Sequence, residues 1–359
     1  MRILQVCSVT TFGGGERHLA DLSRALTDLG HDVYAACVPG SPLSAELSFL
    51  PEERLFALNK RNYLKNVREL ARFAREHDIE IVHAHAARDY YLAALAVRLA
   101  PRSRLVLTRH ALFPLKKINR LVLRGVGRVI AVSEAVAESL RRSDVVDSSR
   151  IRVVHNGIDV DRFGRSIASA HDNDLVLVGT VGHLAPIKGL DTFVRAAALV
   201  SAGRPDVRFV IIGEDKSPEM SYRRSLESLI SDLGLNEIVS MPGWRDDMPA
   251  ALSSLTFFVS AVRSEPFGLA IVEAMAAGLP VIATASEGAL EIIEDGVTGK
   301  LVPIDDAEAL AQYINVLLDN PHERSRLSHN AQLAARERFS LERMARDTER
   351  VYRELLAGE

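Results

Sequence analysis

The chain has 359 residues, of which 47% are hydrophobic and 25% charged, enough apolar material for two cores and more than twice the size of an ordinary domain. A formal net charge of −3, with 22 glycines and 14 prolines, excludes a disordered, collagen-like or charged-tail protein. No apolar run reaches the roughly 18 residues of a spanning helix, and MRILQVCSVTTFGGG enters a strand-like run without a small-residue cleavage site, so a cytoplasmic protein is expected.

In chain order, ILQVCSV at 3–9 predicts a strand. Leu19, Leu22, Leu26 and Leu29 at helical spacing predict a helix that Gly30 stops, and VYAACV predicts the next strand, completing a βαβ unit. Cys7 and Cys37 fall within these strands and read as small hydrophobes in a reducing compartment, neither ligands nor nucleophiles. IEIVHAH, RLVLTRH, RVIAVS and IRVVHN continue the alternation, with room for a crossover helix between each pair, which favours a parallel sheet covered on both faces. The polar stretch GRSIASAHDND at 164–174 predicts a linker. Beyond it LVLVGTVG, RFVIIGE, IVSMPG, LTFFVS, PVIATA and KLVPI predict a second set of strands, with helical patterns over 306–318 and 322–337. SLERMARDTERVYRELL is an amphipathic helix with no strand to follow, expected to cross back onto the first domain. The fold class is α/β, two doubly wound Rossmann-like domains over 1–163 (with 341–359) and 164–340.

Residues 1–163 hold 25 Lys/Arg against 18 Asp/Glu and the remainder 19 against 29, so +7 and −10 make up the total. Residues 102–128 carry eight Arg/Lys and no acid, interleaved with Leu112, Phe113, Leu115, Ile118 and Leu121. Such a stretch suits an anionic membrane surface or a phosphate-bearing acceptor; an ordinary solvated helix face with core-directed leucines has the same pattern. Nucleic acid is not expected, because the segment is short and no recognition motif or aromatic ladder accompanies it.

Gly13, Gly14 and Gly15 lie between the first strand and the first helix, where backbone N–H groups can meet an anion. The run GGGERH is not the G-x-G-x-x-G of a dinucleotide site, and a tight turn that binds nothing reads the same way. His110 ends a strand at the carboxyl edge where open α/β sheets bind ligands, and His83 and His85 end another. These three lack the spacing of a zinc site, so no metal is expected. Lys188 and Gly189 stand at a helix entrance, with His183 in the same loop; a cation there makes sense if a phosphate lies on the helix end. In SEPFGLAIVEAMAAGLPVIAT, Glu265 precedes a helix that Gly268 opens, and Glu273 follows about one and a half turns inside it. Such carboxylates can each accept two hydrogen bonds from vicinal hydroxyls, so that one could hold a sugar and the other a ribose; two solvated glutamates, or one helix-capping acid, would read the same way.

GTVGHLAPIKG, SEPFGLAIVEAMAAGLPVIAT, EIIEDGVTGKLV, VHNGIDVDRF and AVSEAVAESL, in register with the GGGE turn near residue 15, resemble the family-four retaining glycosyltransferases of GT-B architecture over essentially the whole chain. The resemblance implies two Rossmann-like domains with parallel sheets facing each other across a cleft, and transfer of a sugar from a nucleotide donor with retained anomeric configuration and no metal ion. Carried residue by residue, it implies that Lys188 and His183 contact the donor diphosphate, Glu265 the hydroxyls of the transferred sugar and Glu273 the ribose. The backbone at Phe267, Gly268 and Leu269 would meet sugar and phosphate, His110 would sit by the sugar's C6 region or the reaction centre, and Gly14 and Gly15 would approach donor phosphate or acceptor. The family most often has Arg where this chain has His183, which makes the charge there weaker and pH-dependent.

Departure of the leaving group puts charge on the β-phosphate as the anomeric carbon becomes oxocarbenium-like, so donors aimed at that phosphate lower the barrier. The expected reaction is metal-independent transfer of a hexose-type sugar from a UDP- or GDP-sugar to a saccharide or lipid-linked acceptor of the cell envelope, such as lipopolysaccharide. The nucleotide-sugar is a substrate and no cofactor is expected. The place of action would be the cytoplasm, with peripheral attachment to the inner membrane face through 102–128. Asp159-Val-Asp161 and Asp172-Asn-Asp174 read as turns rather than metal–nucleotide motifs. The two domains would close over the donor, with 164–174 as hinge. The competing readings are a Rossmann oxidoreductase, a GT-B nucleotide-sugar epimerase and a non-catalytic nucleotide-sugar-binding protein.

Overall fold

The computed structural model describes residues 1–59, 62–164 and 176–358. The chain forms two compact units, Met1–Gly157 with Leu341–Glu359, and Ile158–Ser340.

The first unit is built on seven strands, β1 (Arg2–Cys7), β2 (Asp32–Cys37), β3 (Leu55–Ala57), β4 (Ile81–Ala84), β5 (Arg104–Arg109), β6 (Arg128–Ala131) and β7 (Ile151–Val153). Their order is β3-β2-β1-β4-β5-β6-β7, and every pair is parallel. All four residues of β4 and of β6 are buried, as strands covered by helices on both faces must be. The order reverses at β1, so the crevice at the carboxyl ends of β1 and β4 is the switch point where such sheets receive ligands. β3 is the one strand of this sheet that the sequence pattern does not announce: three residues, partly exposed, are too short to show a period.

The helix Leu341–Ala357 belongs to this first unit. It buries Met344, Ala345, Thr348, Val351 and Tyr352, one face of a 3.6-residue repeat, and leaves charged residues such as Arg346 and Arg353 outside. Tyr352 is fully buried with its Oη 2.6 Å from His83 Nδ1, and Leu355 lies on Gly127, where a Cβ would come within 2.6 Å of it.

The second unit holds β8 (Val176–Val181), β9 (Val207–Ile212), β10 (Val239–Gly243), β11 (Phe257–Ser260), β12 (Val281–Thr284) and β13 (Lys300–Val302). All pairs are parallel in the order β10-β9-β8-β11-β12-β13, which puts its switch point between β8 and β11. Ile158–Gly164 goes with this unit: Ile158 N donates to Phe339 O (2.9 Å) and Asp161 pairs with Arg336 (2.8 Å). Asp159 Oδ1 accepts from Arg162 N (3.0 Å), so the Asp159–Asp161 pair is used in capping and pairing a short helix, Val160–Gly164. The expected linker and hinge, apart from Gly164, and the Asp172–Asp174 pair lie outside the described residues.

Candidate functional site

In the second unit the loops after β8 and β11, the two strands flanking the switch point, are pressed together. Gly189 adopts a φ of 61° at the start of the helix Leu190–Ser201, and a Cβ there would lie 1.9 Å from Ala261 O, so only glycine allows the approach. Arg263 fastens the two loops. Its backbone N donates to Ile187 O (2.9 Å), its guanidinium donates to Asp191 and Asp305 (2.7 Å each), and one further N–H reaches Pro186 O. The result is a direct ion pair between Lys188 Nζ and Glu265 Oε2, with 27% and 22% of the side chains exposed.

The Glu265 loop is held from its other side as well. Ser264 Oγ (3.2 Å) and Glu265 N (3.3 Å) donate to the Glu287 carboxylate, and Gly288 N donates to Glu265 O (3.0 Å). A Cβ on Gly288 would fall 1.8 Å from Phe267 O. Phe267 itself is core, 2% exposed and edge-on to Phe339, so its ring is closed to a ligand. Gly268, at φ 114°, begins the helix Leu269–Ala276, on which Leu269 and Glu273 are half-buried. His183 stacks on the half-exposed Trp244 with centroids 6.0 Å apart and rings inclined by 19°. Burial first, then the Lys216 and Lys188 cations, depress its pKa below the usual imidazole value, against a small opposing pull from Glu214. The imidazolium form is therefore disfavoured at His183, which offers hydrogen bonding in place of a fixed cation.

The first unit gathers histidines at its own switch point. The helix Gly14–Asp28 starts at the glycine run, and a Cβ on Gly15 would stand 3.7 Å from the His110 ring. His18 in the first turns of that helix, His85 after β4 and His110 after β5 converge, with ring centroids 4.8 to 6.0 Å apart. Desolvation lowers all three pKa values, His18 to about 4 and the other two well below the ordinary value. His83, weighed with His85 and His110 from the sequence, is instead bonded on both nitrogens, to Tyr352 Oη (2.6 Å) and Thr108 Oγ1 (2.7 Å). Ser8 N and Oγ donate to the buried Asp89 (2.8 and 2.5 Å), which anchors the loop after β1 to the segment after β4. Sequence reasoning missed His18, Asp89, Arg263, Glu287 and Gly288. The histidine just after the GGGE run was the available signal for the first; the others act through contacts distant in sequence.

Cys7 and Cys37 are buried, and burial pushes their thiols up to about 12 and about 11, so neither is a nucleophile. In the basic segment, Arg109 and Arg128 are buried, as are Leu115 and Leu123, while Arg102, Arg104, Lys116, Lys117, Arg120 and Arg124 are exposed. Phe113, Ile118 and Leu121 stand 81%, 71% and 75% exposed among them. No helix among the described residues is long and apolar enough to cross a membrane.

Two family descriptions match the chain: "Glycosyltransferase Family 4" over residues 12–162 and "Glycosyl transferases group 1" over 165–334. A D-inositol 3-phosphate glycosyltransferase from Mycobacterium sp. (strain KMS) is 34% identical over 267 residues, 67% of this chain and 59% of that protein. The match thus spans less than two thirds of such relatives' length. In fold, the chain is similar to HepE of Anabaena, crystallised with UDP, at 24% identity and a TM-score of 0.87 over 99% of this chain and 100% of the other. It is likewise similar to a glycosyltransferase from Rickettsia africae, at 24% identity and a TM-score of 0.86 over 100% and 99% of the two chains. With both halves matched and the two parallel sheets of a GT-B protein in place, the chain belongs to the family-four glycosyltransferases.

Proposed function

We propose that this protein moves a hexose from a nucleotide-sugar donor to an acceptor, with the anomeric configuration retained and no metal ion required. The observation that carries this reading is the Lys188–Glu265 pair, drawn from the loops after β8 and β11 to the point where a doubly wound sheet receives its ligand. A donor brings one group for each partner. Its diphosphate attracts Lys188 and the positive end of the helix Leu269–Ala276 at Gly268, and its sugar hydroxyls donate to the Glu265 carboxylate. Without donor, the two side chains satisfy each other. The backbone at Phe267 and Leu269 meets sugar and phosphate, Glu273 takes the ribose hydroxyls, and His183 donates to the diphosphate.

As the glycosidic bond to the β-phosphate breaks, negative charge grows on the phosphate. Lys188, held against relaxation by Arg263's grip on its loop, stabilises that charge more in the transition state than in the ground state. The same phosphate takes the acceptor's proton on the face the leaving group departs from, which gives retention. In the first unit, His110, Gly14 and Gly15 are assigned to the acceptor side of the reaction. The UDP and UDP-glucose complexes reported for HepE support a UDP-sugar as the first donor to try.

Lys188→Ala and Glu265→Gln are each expected to lower kcat/KM at least about 100-fold, roughly 2.7 kcal/mol of transition-state stabilisation. The assay is a panel of UDP- and GDP-sugars in excess EDTA with NMR of the product anomer. Loss of turnover in EDTA, an inverted product, or donor response unchanged in both variants overturns the reading.

The exposed Phe113, Ile118 and Leu121 among six exposed cations support a lipid-linked or cell-envelope acceptor, met at the inner membrane face. The protein is expected to float with vesicles containing anionic lipid and to lose that binding in 0.5 M salt or on Phe113→Ser/Leu121→Ser. Equal recovery with neutral vesicles, or turnover confined to a soluble phosphorylated cyclitol like the one that names the mycobacterial relatives, argues for a soluble acceptor.

A further inference from the structure

The proposed transfer uses His110 but gives no task to His18 and His85, which are 3% and 5% exposed and lie against it. Both ring nitrogens of His18, Nδ1 of His85 and Nε2 of His110 are buried without a hydrogen-bond partner among the described residues. Asn156 lies near enough to His18 to offset a little of the desolvation of its imidazolium, but no hydrogen bond of good geometry joins the two. Buried polar atoms are rarely left so, and here they converge: one ligand atom from each ring lies within 4.8 Å of the others. Each neutral imidazole offers one lone pair, and three lone pairs brought this close can be satisfied together by a single electron-pair acceptor.

We propose that His18, His85 and His110 form a three-imidazole site for a borderline divalent transition-metal ion, zinc foremost. His85 is already set for this task. Its Nε2–H donates to Gln5 Oε1 (2.7 Å), which fixes the tautomer and leaves the lone pair on Nδ1, the arrangement by which an outer residue orients a metal-binding histidine. Nitrogens no more than 4.8 Å apart surround a point about 2.8 Å or less from each, so inward shifts of about 0.7 Å reach the 2.0–2.1 Å of a Zn–N bond. Three nitrogens without a carboxylate in the set suit zinc, cobalt or copper and not magnesium or calcium, and they leave a fourth position for water. Arg109, the neighbouring cation, directs a guanidinium N–H to Phe113 O.

The test is titration of the chelator-stripped full chain with Co2+, followed by its visible absorption, and with Zn2+ by calorimetry. One equivalent of Co2+ in a four-coordinate spectrum, displaced by Zn2+ and indifferent to Mg2+, is expected. His18→Gln and His85→Gln should each weaken binding at least tenfold. Gln5→Leu, which removes the orienting acceptor and keeps all three imidazoles, should weaken it about 10- to 100-fold, and His322→Gln, an exposed histidine of the other unit, should leave it unchanged. Absence of stoichiometric binding by the wild type, or equal binding by folded His18→Gln, overturns the proposal. Should the variants unfold, NMR of the wild type decides: one equivalent of Zn2+ must shift the His18 and His85 ring signals, and unmoved signals refute the site. None of these readouts is turnover, so failure of this site is distinguishable from failure of the transfer reaction, with which it shares His110.

Discussion

His183 carries a pH dependence that an arginine in its place would not. Its pKa lies below 6.5 in the free protein because burial and the Lys216 and Lys188 cations disfavour the imidazolium, while a bound diphosphate favours it. A ligand that raises a pKa binds more tightly as pH falls toward the free value. Donor affinity, measured by calorimetry, should therefore strengthen from pH 8 to pH 6, whereas His183→Arg should bind severalfold tighter at pH 8 with a flat profile. A wild-type profile as flat as the variant's means that His183 does not face the phosphates. The placement of Lys188, Glu265 and Gly268 was legible from the sequence because each stands where a strand-like run gives way to a helical pattern. Arg263 was not. Its partners Asp191 and Asp305 are 72 and 42 residues away, and only the folded sheet brings them to it.

Among elements, the helix Leu341–Ala357 shows how far periodicity carries. Its amphipathic repeat announced a buried face, but the repeat could not say that Tyr352 reaches the imidazole of His83. Tyr352→Phe keeps the ring and removes the hydroxyl, leaving a buried nitrogen unpaired at a cost of about 1–3 kcal/mol. Urea unfolding of the first unit should shift to a lower midpoint by that amount, with the unfolding slope unchanged; an unaltered midpoint excludes the bond's contribution. Strands such as β1, β5 and β11 were legible because branched and apolar residues fill them on both faces. β3 was not, since an edge strand of three partly exposed residues carries little side-chain signal.

For the molecule as a whole, buried histidine makes the first unit acid-sensitive. His18, His83 and His85 are neutral when folded, with pKa values depressed by desolvation, His18 to about 4, against about 6.5 when unfolded. A depressed folded pKa means that unfolding takes up protons below pH 6.5. The stability is intact above that value and is lost as pH falls toward 4, at up to about 1.4 kcal/mol per pH unit per histidine. In EDTA, thermal scans from pH 7.5 to 5 should show the first unit's melting temperature falling well ahead of the second's. Parallel decline of both would show that the imidazoles are not buried as described.

The first unit is assembled from the two ends of the chain, with the second inserted between them. On the ribosome, residues 1–157 emerge some 180 residues before the helix that completes their core, because 158–340 must be made first. Until then the places that receive Tyr352, Val351 and Met344 remain open, and the nascent chain presents an unfinished apolar surface next to an inserted unit that can already fold. Translation thus imposes an order in which the second unit can be completed before the first.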